Sequence, residues 1–174
     1  MAVVFDFNNA ANGLYSSVSQ TVSGYTATAT GVGGNITVLA WQGSPVVAGG
    51  ASGAWLPTRV DFSAPMSSVT AMFGDNGVDD DDFVVLRAYS AADALVDSQS
   101  YYYGMSSGFA SLTVTGANIA YVIGTTTAQG PQFNQGLPNS VVWDNFSAQP
   151  VPEPATIAAL GLGVAALARR RNRR

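Results

Sequence analysis

The chain predicts an all-β body: an antiparallel two-sheet β-sandwich of jelly-roll type, followed by a short C-terminal apolar helix. Three observations carry that expectation. Short runs of β-branched and aromatic residues recur at intervals of about 8 to 12 residues between turn signals. Glycine is frequent, with 19 in 174 residues, and it falls mostly between those runs. No apolar stripe of helical period is sustained before residue 155. There are no cysteines to staple the body, but about 150 residues bury roughly 68–70% of their unfolded surface, enough for a core.

The runs place strands at 3–7, 24–30, 36–41, 59–62, 69–73, 82–89, 95–103, 109–114, 119–123 and 141–146. Period-two alternation puts Val69, Ala71 and Phe73 on one face, likewise Val84, Leu86 and Ala88, and likewise Ile119, Tyr121 and Ile123. Tyr101 and Tyr102 are adjacent in a strand, so they face opposite sides and one of them leaves the core. Trp143, in the last strand, is a core residue. A sandwich suits uneven loops such as 43–57 and 125–139 better than a closed barrel does. After the body (1–147), residues 148–151 read as a linker, because Gln149-Pro150-Val151-Pro152 is too proline-rich to continue a ladder.

Residues 152–174 have three parts in order. Pro152, Glu153 and Pro154 come first, then the apolar stretch 155–168, then Arg169, Arg170, Arg171, Asn172, Arg173 and Arg174. Fourteen residues of helix rise about 21 Å, short of a hydrocarbon core of about 30 Å, so insertion is marginal and relies on snorkelling arginines. Five of the seven basic residues lie in the last six positions. The positive-inside rule therefore keeps this end cytoplasmic and the body outside. These three parts closely resemble the PEP-CTERM protein-sorting signal of exopolysaccharide-producing Gram-negative bacteria. The resemblance implies recognition by exosortase, a multispanning membrane transpeptidase that cleaves near the PEP and releases or transfers the body. It also implies export. Residues 1–7 show no basic region, no sustained apolar run and no small-residue cleavage site, so a signal peptide is missing from the sequence as it stands and is expected upstream of Met1.

Residues 1–150 hold ten aspartates, no glutamate, and Arg59 and Arg87 as the only cations, a net charge of −8; the chain has no lysine. Nucleic acid is excluded as a partner, since its phosphates demand Lys and Arg. With no His, Cys or Lys, the commonest general bases and nucleophile dyads are missing, and an enzyme is not expected.

Two acidic sets invite calcium, a cation that takes six to eight oxygen ligands. Asp75, Asp79, Asp81 and Asp82 crowd a turn with Asn76, without an EF-hand spacing; the alternative there is a solvated acidic turn. Asp6 and Asp144 sit among apolar residues in the first and last strands. Those strands resemble the end strands of carbohydrate-binding-type jelly rolls, in which such acids hold a structural Ca²⁺; acids on a solvent face are the alternative. Trp55 and Tyr102 are the candidates for stacking on sugar rings. The function expected is an exported surface or matrix protein, structural or adhesive within exopolysaccharide, with a specific carbohydrate-binding module as the alternative.

Overall fold

A computed structural model of the chain describes residues 1–50, 56–75, 82–103, 108–127 and 141–152. Every regular element among them is a strand: β1 (Val3–Phe5), β2 (Gly13–Tyr15), β3 (Val18–Val22), β4 (Tyr25–Gly31), β5 (Ile36–Trp41), β6 (Ser44–Gly49), β7 (Thr58–Asp75), β8 (Asp82–Tyr89), β9 (Leu95–Tyr103), β10 (Ala110–Thr127) and β11 (Val141–Pro150). All pairings are antiparallel.

The strands do not divide into two hydrogen-bonded sheets. They form one sheet in the order β2-β5-β6-β11-β7-β10-β8-β9, with β1 beside β11 and the β3–β4 hairpin beside β7. Continuity comes from β7 and β10, each 18 residues long. Each replaces two shorter expected strands, 59–62 and 69–73 for β7 and 109–114 and 119–123 for β10. Both are irregular at the same level: β10 pairs from Thr115 to Ser68, then from Ile119 to Met66, then from Tyr121 to Asp61. Pro65 lies in this break, where a residue without an N–H is tolerated. Asn118, at φ 64°, turns β10 through the same level. Beyond the break, β7 exchanges β11 for β4 as its other neighbour.

Two pairs of residues in positive φ turn hairpins that were not among the expected elements. Ser23 and Gly24 (φ 52° and 84°) join β3 to β4, and Gln42 and Gly43 (φ 48° and 84°) join β5 to β6. Positive φ at both central residues is the two-residue turn whose twist matches that of the flanking strands. Residues 44–49, expected within a long loop, are therefore a strand.

The apolar core collects Phe5, Phe7, Phe73, Trp143 and Phe146 with Ile36, Met66, Leu86 and Ile119. Phe5 of β1 meets Phe62 of β7 at 6.1 Å between ring centroids, and Phe7 meets Phe146 edge-on at 6.1 Å. Trp143 of β11 lies over Gly124 of β10, where a side chain would collide with the indole. A second cluster of Trp41, Val46, Ala48 and Val142 covers the other face of β6 and β11, with Phe109 edge-on to Trp41 at 4.6 Å.

Val69, Ala71 and Phe73 are all buried, as are Val84, Leu86 and Ala88. The third expected set is corrected: the irregularity between Ile119 and Tyr121 reverses the alternation. Ile119 and Val122 enter the core while Tyr121 and Ile123 turn to the opposite face. The linker expected at 148–151 is corrected as well. β11 continues to Pro150, with Ala148 opposite Val3, Gln149 opposite Ser68 and Pro150 opposite Met66. Val151 N–H then donates to the Pro65 carbonyl at 3.0 Å, so the chain stays on the sheet up to Pro152. The apolar stretch 155–168 lies outside the described residues.

Candidate functional site

Three places bear on function. The first joins the chain's two end strands. Just after β1, the Asp6 carboxylate accepts from Asn8 N–H (3.1 Å) and from Gln20 Nε2 (2.7 Å), while Gln20 Oε1 accepts from Asp6 N–H (2.8 Å) and Phe7 N–H (3.2 Å). One amide thus clamps the chain at Asp6 to β3 by reciprocal bonds. Burial pushes the Asp6 pKa up, but the bonds from Asn8 and Gln20 outweigh it and hold the carboxyl below its usual range.

Asp144, in β11, is only 2% exposed. Its carboxylate accepts from Asn145 N–H (2.7 Å), Asn145 Nδ2 (3.0 Å) and Ser44 Oγ (3.3 Å). Asn145 has φ 46°, at the register shift between Asp144 and Ser147. Burial raises the Asp144 pKa; bonds from Asn145 and Ser44 oppose the rise, and the negative charge of Asp6 adds to it. Among the described residues no cationic side chain is paired with Asp144. No group of three or more acidic, His or Cys side chains gathers as a metal cage among the described residues. Of the acidic-turn candidates, Asp75 ends β7 and Asp82 begins β8; Asp79 and Asp81 lie outside the described residues.

Ionising a buried acid of raised pKa opposes folding. The stability contributed by Asp144 is greatest below the ordinary carboxylate range and is lost as pH rises through its raised pKa. In metal-free buffer at pH 7, Asp144→Asn is expected to raise the melting temperature by about 2–4 °C, the effect of about 1 kcal/mol in a domain of this size. Near pH 3.5, where free aspartate is about half protonated, the gain should shrink. Melting curves at the two pH values check this; an equal loss at both would contradict it.

The second place is the face of β7, β10, β8 and β9 turned away from the core. Arg59 is held by both oxygens of Asp61, with Nε at 2.9 and 3.1 Å and Nη2 at 2.6 Å. Its guanidinium lies 3.7 Å above the Tyr121 ring. Tyr121 stacks on Tyr89 (5.0 Å, 11°) and donates to Asp93 at 2.9 Å. Its hydroxyl pKa is raised by burial and by that bond. Arg87 occupies the same face. The candidate Tyr102 sits opposite Phe83 on this face and is 53% exposed. Tyr101, on the core side, meets Phe73 at 5.8 Å. Trp55 lies outside the described residues.

The third place is the exit of the chain. β11 is tied to β7 through Ser67 Oγ to the Gln149 carbonyl (3.1 Å) and through Val151 to Pro65 (3.0 Å), after which Pro152 is exposed. An open groove of about 320 Å³ lies here between Met1, Tyr25 and Pro150–Pro152. Glu153, Pro154 and the terminal arginines lie outside the described residues. Among the described residues no helix is long and apolar enough to cross a membrane.

In sequence, the last strand of this all-β body is followed at once by a Pro-Glu-Pro, an apolar stretch and an arginine cluster. A family model described as the PEP-CTERM protein-sorting motif matches residues 150–174, so the chain carries that motif, which implies export, a membrane-anchored sorting segment and processing by exosortase. Comparison with curated proteins finds no match. Gln20 and Ser44, which hold Asp6 and Asp144, were not among the residues expected. The available signal was the Val18-x-Gln20-x-Val22 alternation before Ser23-Gly24.

Proposed function

We propose that the chain is a matrix protein delivered through its C-terminus. Residues 155–168 hold it at the membrane, with Arg169, Arg170, Arg171, Arg173 and Arg174 on the cytoplasmic side, and exosortase then separates the body from this anchor. The freed body is a non-enzymatic, structural or adhesive component associated with exopolysaccharide. The observation that carries the reading is the sorting motif at residues 150–174. For the architecture, we take the halves of the sheet on either side of the Pro65 break as the two layers of a sandwich of jelly-roll type, a view supported by the Phe5–Phe62 contact. The alternative, a carbohydrate-binding module with specific glycan recognition, is favoured by the exposure of Tyr102 on a sheet face.

The test is expression of the full chain behind an export leader, with and without an active exosortase. The expected result is a membrane-bound precursor without the enzyme and a shortened, extracellular product with it. The same precursor in both cells would overturn the reading. For the body, extracellular product that separates from the polysaccharide on washing would refute the matrix role. New reducing ends in that polysaccharide would show an enzyme.

At the end strands we propose a structural Ca²⁺ held by Asp6 and Asp144. Two carboxylates supply hard oxygen donors, and a cation would relieve a buried acid that has no cationic partner among the described residues. Backbone carbonyls and water would have to complete the shell. With calcium in excess, Asp144→Asn should then melt below the unsubstituted protein, the reverse of the metal-free order; an order unchanged by calcium sinks the proposal.

A further inference from the structure

The body's only two cations, 28 residues apart in sequence, are brought into a single cross-strand row. Ile123 of β10 pairs with Arg59 of β7 on one side and with Arg87 of β8 on the other. Strand spacing puts their backbones about 10 Å apart. The two have different electrostatic fates. Arg59 is neutralised by Asp61 and packed on Tyr121, which builds the floor of the face. Arg87 is half-buried on the same face and makes no ion pair or side-chain hydrogen bond among the described residues. Among the described residues Arg87 is thus a guanidinium without a carboxylate, a local exception in a body whose net charge of −8 opposes polyanions elsewhere on its surface.

The surroundings of Arg87 determine what fits. Tyr89, two residues along β8, is stacked flat on Tyr121. In the other direction the face reaches exposed Tyr102 on β9, opposite Phe83. Of the described acids on this side, Asp61 is engaged by Arg59 and Asp93 by the Tyr121 hydroxyl. Asp97 of β9 pairs opposite Ala88, a core-facing position, and accepts from Thr115 N–H at 2.8 Å, away from the face. A planar fork with five donors matches a carboxylate in two-point contact, and a tyrosine ring nearby offers the flat apolar surface a sugar ring stacks on.

We propose that the outer face of β7, β10, β8 and β9 binds an acidic polysaccharide, with Arg87 pairing with a uronate carboxylate and Tyr102 packing against a sugar ring. This inference rests on the glycan association proposed above and narrows it to carboxylated chains.

The test is affinity electrophoresis and titration calorimetry of the folded body with polygalacturonate, with the same polymer after reduction of its carboxyls, and with dextran. Polygalacturonate is expected to bind, the reduced polymer and dextran at least tenfold more weakly. Arg87→Gln should lower polygalacturonate affinity about tenfold, the loss of about 1.4 kcal/mol expected of a charge-assisted hydrogen bond. Arg87→Lys should recover only part of it, because the charge returns without the fork. Tyr102→Ala should weaken binding with its melting temperature held. Equal affinity for all three polymers would keep the glycan reading and refute the acidic one. Binding of none of them would overturn this inference, while the matrix reading would still be judged by retention on the host polysaccharide. Polygalacturonate binding that Arg87→Gln leaves intact would place the site elsewhere and refute the role of this face.

Discussion

Trp143→Ala is expected to cost about 3–5 kcal/mol, a fall of roughly 6–20 °C in melting temperature for a domain of this size. The indole is 2% exposed. It lies between Phe73 at 5.7 Å and Phe146 at 6.4 Å, and its six-membered ring covers Gly124 on β10. It therefore joins β11 to a strand that is not its hydrogen-bonded neighbour, so no ladder can compensate for its loss. The reciprocal substitution is informative. Gly124→Ala puts a methyl where the indole already is, an overpacking expected to cost about 1–3 kcal/mol. In the double variant the methyl has room, so the combined loss should fall below the sum of the two single losses. Strict additivity in thermal or urea unfolding would mean that the two positions are not in contact.

Strands were legible in the sequence where one face is uniformly apolar. β5 and β8 have the boundaries expected, with Ile36, Val38 and Ala40 on one face of the first and Val84, Leu86 and Ala88 on one face of the second; β9 has its expected boundaries as well, with polar residues on both of its faces. β3 was illegible because its middle residue on the shared face is Gln20, a side chain placed there to bond Asp6 rather than to fill the core. β6 was hidden by Pro45 and by a glycine-rich continuation that resembles loop. The long strands β7 and β10 were read as pairs because each carries a break, and the break also reversed the facing of Tyr121 and Ile123. Asp6 and Asp144 were recognisable as acids set among apolar strand residues. Their partners could not be read, because Ser44 and Asp144 are 100 residues apart. The alignment of Arg59 with Arg87 was likewise invisible, since it follows from the register of three strands and not from any local pattern.

Replacement of Pro152, Glu153 and Pro154 by three alanines is expected to leave full-length precursor in the membrane and to reduce the processed product by at least about tenfold, the effect of removing about 1.4 kcal/mol from recognition. β11 remains hydrogen-bonded through Pro150, and the Val151 N–H is taken by Pro65. Pro152 lacks the N–H that could have extended the ladder, and so does Pro154 in the sequence that follows. In sequence the motif begins two residues after β11 ends at Pro150, and Glu153 is the only charge between the body's last strand and the arginine cluster. Alanine restores both N–H groups and removes that charge, erasing what distinguishes the segment chemically. Because Pro152 is exposed, the body should be indifferent, with a change in stability within about 0.5 kcal/mol. Immunoblots of membrane and extracellular fractions from cells with active exosortase, together with melting of the purified body, separate the two effects. Normal processing of the triple variant would show that recognition lies in the apolar stretch and the arginines alone. A large fall in melting temperature would instead show that the prolines help to close the sheet.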